Sequence, residues 1–244
     1  MHPSFTTKTL SFLRSLKRNN DRDWFRARKD DYERHVHAPM VAVIEQLAVD
    51  FGRFAPELDA SPKRCIYRIY RDTRFSADKT PLKVHIAASF RWRGLPKHRS
   101  AGLYFEVTPG WVWMGGGLYA PETADLVRIR EHISDTHPEL HRLTRAAAFR
   151  RAFDRLDGEQ LTRVPRGYAN DHPAAAYLKH RNFLAGREFP PELATSAKFY
   201  PTLLATFKAV MPIVRFLNEP LVGETVEAGR LRIVEAGRLR IGAN

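Results

Sequence analysis

Residues 101–119, AGLYFEVTPGWVWMGGGLY, carry the pattern that decides the fold. Apolar side chains recur at every second position from Leu103 to Val107, which is the period of a β-strand with one buried face. Pro109-Gly110 then offers the turn of a hairpin, although proline at the first turn position is unusual in tight hairpins. The opposed pairs would be Thr108–Trp111, Val107–Val112, Glu106–Trp113 and Phe105–Met114. In each pair the two side chains belong to the same face of the sheet, and this agreement favours the register.

The segments on either side of this hairpin indicate an α+β protein with a mainly antiparallel sheet. Residues 84–90 alternate like a strand, and strand character begins near Arg64, so the central strands cover about residues 64–119. Helical spacing marks residues 6–18, residues 21–51 with a break or kink at Pro39, and a final helix over residues 199–218. Residues 179–189 have the composition of one more strand. Helices, then strands, then helices predict N- and C-terminal helices packed on the sheet.

The chain is predicted to hold one domain over residues 1–221, followed by a tail over residues 222–244. The tail contains the octapeptide VEAGRLRI twice, at 226–233 and 234–241. Two copies are too few for a repeat architecture. We expect a disordered tail or a short edge hairpin there, and we assign it no function.

Charge is concentrated in one part of the 244-residue chain, whose net charge is +13. Residues 61–100 hold eleven Lys or Arg and two Asp, so their net charge is 11 − 2 = +9. A focused positive field raises the local concentration of anionic partners. The single cysteine, Cys65, and the lack of a long apolar run indicate a cytoplasmic protein without membrane contact. The sequence does not indicate an oligomeric state.

The basic segment RIYRDTRFSADKTPLK, residues 68–83, is the first candidate site. The residues that would bind an anion there are Arg68, Arg71, Arg74, Lys79 and Lys83. Arginine offers a planar fork of donors that suits phosphate or carboxylate. Arg71 falls on an apolar face of a strand, so it needs either a bound anion or a carboxylate partner, Asp78 or Asp72.

The second candidate site is the face of the sheet opposite the core. Five side chains there would contact a ligand, namely Tyr70, His85, Tyr104, Glu106 and Trp113. Aromatic rings beside cations suit stacking on bases together with phosphate contacts. The alternative is that flanking helices bury this face. The triplet Gly115-Gly116-Gly117 favours a bulge or a close backbone approach over a phosphate-binding turn. We predict no metal site and no cofactor, because no known ligand spacing is present.

The segments RIYRDTRFSADKTPLK (68–83), SAGLYFEVTPGWVWMGGGLYAPE (100–122) and RVPRGYANDHPAAAYLK (163–179) resemble a family catalogued as domain of unknown function 2461. The resemblance covers about residues 5–221 and leaves out the tail. It implies a single domain over that span and supplies no activity.

Three functions follow as hypotheses. The first is binding of an anionic ligand, either a phosphorylated small molecule or nucleic acid, through the basic segment. The second is an enzyme acting on a phosphorylated substrate, with Asp72 or Asp78 as the acid or base. The third is a non-catalytic scaffold or interaction protein, in which carboxylates of the same chain saturate the arginines.

Overall fold

The structure is a computed structural model that describes residues 2–95 and 99–241, with only the backbone described for residues 223–241. Its helices are α1 (Thr7–Arg18), α2 (Arg22–Arg26), α3 (Lys29–Tyr32), α4 (Ala38–Phe54), α5 (Pro62–Cys65), α6 (Thr123–Asp135), α7 (His137–Arg145), α8 (Ala147–Ala152), α9 (Ala175–Leu178) and α10 (Phe199–Ile241). Its strands are β1 (Ile86–Phe90), β2 (Gly102–Val107), β3 (Val112–Leu118) and β4 (Phe183–Phe189). A 3-10 turn (Pro191–Thr195) precedes α10.

The four strands form one antiparallel sheet in the order β1-β2-β3-β4. The α+β class predicted from the sequence is therefore confirmed. The register of the central hairpin is also as predicted, since Val107 pairs with Val112 and Glu106 with Trp113. Thr108 closes the turn, because its backbone N–H and its hydroxyl both donate to the carbonyl of Trp111, at 2.9 and 3.0 Å.

One face of the sheet packs against α4 and α10 and forms the core. Phe90 of β1 and Phe105 of β2 contact Phe207 of α10, with ring centroids 5.7 and 6.3 Å apart. Phe51 of α4 packs edge-on against Phe90, at 5.2 Å. These rings are buried, and this is the face that the alternation of residues 101–119 predicts to be apolar.

Pro39 is accommodated by a change of helix type. A π-helical turn (Glu33–His37) joins α3 to α4, and Pro39 lies in the first turn of α4. Proline has no N–H to offer the carbonyl of His35, four residues before it. The buried hydroxyl of Thr9 in α1 donates to that carbonyl at 2.5 Å. The predicted interruption at Pro39 is thus a junction where α1 is bonded to the next helices.

Residues 62–72 differ from the strand expected there. Pro62 begins the one-turn helix α5, and the chain beyond it makes isolated bridges at Ile66 and Tyr70 rather than a ladder. Three backbone bonds still tie this segment to its neighbours: Tyr67 N–H to Ala87 O at 3.0 Å, Lys83 N–H to Ile69 O at 2.8 Å, and Arg71 N–H to Pro81 O at 2.9 Å. The segment therefore lies beside the sheet without extending it.

Helix α10 is much longer than the predicted 199–218, and both Pro212 and Pro220 lie inside it. The backbone of the repeated octapeptide lies in α10 and not in the short edge hairpin considered as one alternative, and its side chains lie outside the described residues. Asn218 ties α10 to β2, because its side chain bonds both the N–H and the carbonyl of Ala101. Within the described parts of the chain, every helix is too short or too polar to cross a membrane.

Candidate functional site

The outer face of the sheet, opposite α10, presents polar and aromatic side chains from β2 and β3. Tyr104, Glu106 and Trp113 point there and are half-buried, whereas the alternating residues of both strands are fully buried. The rings of Tyr104 and Trp113 lie 5.8 Å apart. Helices do not cover these three side chains completely, so the second candidate site of the sequence analysis remains accessible.

The segment before β1 covers part of this face and encloses a cavity of about 590 Å³. Tyr67 stands against Tyr104, with ring centroids 6.2 Å apart. The ammonium group of Lys83 lies 4.9 Å from the centre of the Tyr67 ring, which is within the range of a cation–π contact. The cavity therefore has an aromatic wall on the sheet side and an aromatic wall on the loop side. Its size is that of a small-molecule site.

Backbone forms much of the bottom of the cavity. Gly102, Gly116 and Gly117 line it, and Gly102 pairs with Gly117 across β2 and β3. Gly117 has φ +134°, and a Cβ there would lie 2.0 Å from the carbonyl oxygen of Phe183. The glycine triplet lies within β3, so its role is a close backbone approach rather than a turn.

Glu106 is the acidic centre of the cavity. The Tyr104 hydroxyl donates to its Oε2 at 3.0 Å, and the Trp111 indole N–H donates to its Oε1 at 3.4 Å. His85 Nδ1 lies 3.9 Å from Oε2. Burial lowers the pKa of His85 and outweighs the opposing effect of Glu106, so the ring is neutral at pH 7. Burial, followed by the Glu106 charge, raises the pKa of Tyr104, which keeps its proton.

Two cations line the same cavity, Lys83 and Arg91. Arg91 follows β1 and continues the outward alternation of His85 and Ser89. The cavity also includes Ser100, whose hydroxyl oxygen is buried without a hydrogen-bond partner among the described residues. A buried hydroxyl of this kind is available to a bound molecule.

The basic loop itself is arranged differently from the predicted anion cradle. Arg71 bonds the Asp78 carboxylate and the Thr80 hydroxyl. Arg74 makes a two-point contact with Asp72, at 3.0 and 2.8 Å. The Lys79 ammonium donates to the carbonyl of Thr73 at 2.9 Å. Arg68 is exposed, and its charge contributes to the lowered pKa of Asp72.

The structure therefore does not bring the five predicted anion-binding cations together. Only Lys83 of the five lines the cavity. Arg71 does have the carboxylate partner that an apolar strand face would require, and that partner is Asp78. The pairing within the loop is the arrangement expected of a structural loop.

The loop carboxylates are strongly held in their charged forms. Arg74 lowers the pKa of Asp72 to about 2, and Arg71 lowers that of Asp78 to about 2. A carboxylate of such low pKa is a poor proton acceptor at neutral pH. The acid–base role considered for these two residues is thus not favoured by their surroundings.

Four of the five predicted sheet-face residues meet in the cavity, and Tyr70 does not. Tyr70 is 48% exposed and packs its ring edge against Phe25, 5.9 Å away. Sequence reasoning missed Tyr67, Arg91 and Ser100. Extending the alternation of residues 84–90 by one step would have identified Arg91, and extending that of β2 backward by one step would have identified Ser100. Nothing local in the sequence marks Tyr67.

A group of histidines lies away from the cavity. The ring centroid of His137 lies 5.9 Å from that of His141 and 5.5 Å from that of His172. His172 is held by Ser134 and by the backbone N–H of Ala174. Over residues 2–95 and 99–222, no group of three or more His, Cys, Asp or Glu side chains could hold a metal ion.

Comparison with known proteins identifies the family of the chain but gives no information on an activity. A family model described as "Conserved hypothetical protein (DUF2461)" matches residues 8–216. No curated protein and no solved structure matches the chain. The match spans the sheet, the cavity and the basic loop.

Proposed function

We propose that this chain, which belongs to the conserved hypothetical protein family DUF2461, binds a phosphate-bearing ligand with a planar ring. The binding site is the cavity on the outer sheet face. The observation that carries the proposal is that the rings of Tyr67, Tyr104 and Trp113 line the same cavity as the cations of Lys83 and Arg91. Rings and cations together recognise the two halves of such a ligand.

The aromatic part of the site would hold the planar ring. Stacking of a base on an aromatic side chain contributes about 1–3 kcal/mol and requires no particular base. Glu106 adds some selectivity, because its carboxylate has about four acceptor positions and two are used by Tyr104 and Trp111. The remaining positions accept hydrogen bonds from N–H groups of a ring, as on a nucleobase.

The cationic part of the site would hold the phosphate. Arginine can bind a phosphate through two parallel N–H bonds, and lysine adds a mobile charge. The loop arginines contribute less, because Asp72 and Asp78 already neutralise Arg74 and Arg71. Lys83 and Arg91 line the cavity itself, so we move the proposed anion contact from the basic loop as a whole to these two residues. We propose the cytoplasm as the location, in keeping with the single free thiol of Cys65.

The ion pairs within the basic loop favour the scaffold hypothesis, but only for the loop itself. A scaffold function predicts arginines saturated by acids of the same chain, and Arg71 and Arg74 fit that expectation. This supports a structural role for residues 71–80 and leaves the cavity as the candidate binding site.

The test is calorimetric titration with adenosine and uridine 5′-monophosphates, with the nucleosides and inorganic phosphate as controls. We expect the monophosphates to bind more tightly than either control. Lys83→Met should weaken binding about tenfold or more, since a hydrogen bond to a charged group contributes about 1.5–3 kcal/mol. Arg74→Gln removes the same charge from the loop and should leave affinity within about twofold, because Arg74 is paired with Asp72. The reverse order of effects, or equal binding of nucleosides and monophosphates, would contradict the proposal.

A further inference from the structure

A second concavity adjoins the cavity, and three of its nine lining residues are arginines. This cleft has a volume of about 360 Å³ and shares Ser89 and Arg91 with the cavity. Its other charged residues are Arg64, Arg93 and Asp59. The cleft therefore carries three arginines and one carboxylate, a net charge of 3 − 1 = +2. Arg91 lines both spaces and therefore stands at their boundary.

The positive surface continues beyond the cleft. A third concavity of about 370 Å³ shares Asp59, Arg64 and Arg93 with the cleft and reaches Phe51 and Pro56. Adjoining concavities with shared walls form a path longer than one small ligand. A compact monophosphate in the cavity would leave most of this path empty.

The arginines of the cleft stand on backbone that is fixed in place. The N–H of Asp59 bonds the carbonyl of Arg91, and the N–H of Arg93 bonds the carbonyl of Glu57, both at 2.8 Å. The bridge between Leu58 and Trp92 lies between these two bonds. Because the backbone is held on both sides, Arg91 and Arg93 keep a constant separation.

Donor groups remain for an anion after the internal contacts are counted. Arg64 uses Nε and Nη2 on Asp59, and Arg93 uses Nε on the carbonyl of Leu58. A guanidinium group has five N–H donors, so each arginine retains three or more. Their carboxylate partner is also fully charged, since Arg64 lowers the pKa of Asp59. The cleft thus remains cationic across the neutral pH range.

We infer that the ligand is a single-stranded nucleic acid, with one base in the cavity and the next phosphates on Arg91, Arg93 and Arg64. This inference rests on the proposed function of the cavity. Arg91 and Arg93 are two residues apart, so their α-carbons lie within about 7 Å, a length comparable to one nucleotide step of an extended strand. Aromatic stacking beside a cationic groove is the arrangement by which proteins bind single strands without reading their sequence. A duplex base cannot enter the cavity without leaving its stack.

The test measures binding of 5′-phosphorylated thymidine oligonucleotides of one, two, four and eight residues, by calorimetry at several salt concentrations. Affinity should rise about tenfold or more from one to four residues, because further bases and phosphates gain contacts. The logarithmic salt slope should steepen by about 0.7 for each added phosphate that the cleft neutralises.

Variants separate the cleft from the cavity. Arg93→Gln should weaken tetranucleotide binding about fivefold or more and leave the mononucleotide within about twofold, because only the longer ligand reaches Arg93. Arg93→Lys keeps the charge and should restore most of the lost affinity for the tetranucleotide. Such a recovery excludes a folding defect as the cause of the weaker binding. Arg26→Gln is the matched control, since Arg26 is exposed on α2, pairs with Asp23 and lines neither space.

The outcomes distinguish this inference from the proposed function. Failure of both mononucleotide and tetranucleotide to bind overturns the proposed function and the inference with it. A mononucleotide that binds as tightly as the tetranucleotide overturns the inference alone. Equal binding of a duplex of eight base pairs also overturns it. ATP gives a further outcome that overturns the inference. If ATP binds more tightly than the mononucleotide by the same factor as the tetranucleotide, and this gain in affinity depends on Arg93, the ligand is a nucleoside polyphosphate.

Discussion

The indole ring of Trp113 lies over the α-carbon of Gly186 on the neighbouring strand. A Cβ on Gly186 would lie 1.9 Å from Cζ2 of the ring, and a Cβ on Gly115 would lie 2.7 Å from its Cη2. Both glycines face outward and are paired across β3 and β4. The ring therefore leans across the sheet because two side chains are missing beneath it, and this fixes the shape of one wall of the cavity.

Gly186→Ala should push the Trp113 ring away from the sheet. We expect a loss of about 1–3 kcal/mol in unfolding free energy, which is typical of overpacking, and a shift in indole fluorescence. Urea denaturation and emission spectra would measure both. Gly52→Ala in α4 is the control, because a Cβ there meets nothing within 4 Å. It should stabilise the protein by about 0.5–1 kcal/mol. Unchanged fluorescence in Gly186→Ala would show that the ring does not rest on this glycine.

Asn218→Ala should destabilise the protein by about 2–4 kcal/mol. The Asn218 side chain is fully buried and bonds the N–H and carbonyl of Ala101 at 2.8 and 3.0 Å, and both groups would lose their partner. Asn20→Ala is a matched control, since Asn20 makes the same pair of bonds to Leu82 in a partly exposed place. Water can replace the lost bonds there, so the loss should be smaller. Equal losses in urea denaturation would contradict this explanation.

Thr9→Val should reduce stability by about 1–2 kcal/mol, because it removes the donor to the His35 carbonyl. In a Pro39→Ala background the loss should shrink, since the substituted alanine supplies a backbone N–H four residues after His35. A double-mutant cycle by urea denaturation measures this coupling. Thr206→Val in α10 is the control, because the Thr202 carbonyl that Thr206 contacts keeps its helical donor. An additive cycle would show that Thr9 and Pro39 are not linked.

Stability should fall as the pH drops from about 7 to 5. Burial lowers the pKa of His85, His132 and His180, so the unfolded chain binds more protons than the folded one as pH falls through 6.5. The slope is at most about 1.4 kcal/mol per pH unit for each histidine. His180 is the clearest case, because its Nδ1 donates to Asn182 O and its Nε2 accepts from Gln160.

Urea denaturation at pH 7.5, 6.5 and 5.5 tests this dependence. His180→Gln should flatten the slope, whereas the exposed His2→Gln should leave it as it is. A slope that is unaffected by His180→Gln would show that His180 is not among the groups responsible. Asp72 and Asp78 do not contribute in this window, because their lowered pKa values affect stability only below about pH 4.

The central hairpin could be predicted from the sequence because one of its faces is buried. A shift of one residue would turn Phe105 and Val107 outward, so only one register fits the pattern. The same alternation placed Tyr104, Glu106 and Trp113 together on the opposite face. Long-range burial constrains each of these positions, which is why a simple period of two was sufficient.

The basic segment could not be predicted in the same way. Arg71 and Asp78 are seven residues apart, and their contact depends on a loop with no period. The run of alternating residues from Cys65 to Ile69 was too short to distinguish a strand from a chain with single bridges. Tyr67 belongs to the cavity only because the segment before β1 folds over the same face.

The glycine backbone beneath the cavity has a thermodynamic consequence. Gly102, Gly116 and Gly117 have no rotamers, so a molecule that rests on them immobilises no side chain there. The entropy lost on association is then confined to the rim, chiefly to the long side chains of Lys83 and Arg91. A binding surface that needs little ordering favours slow release of a bound ligand. Differences in ligand preference between relatives would arise from substitutions around the opening of the cavity.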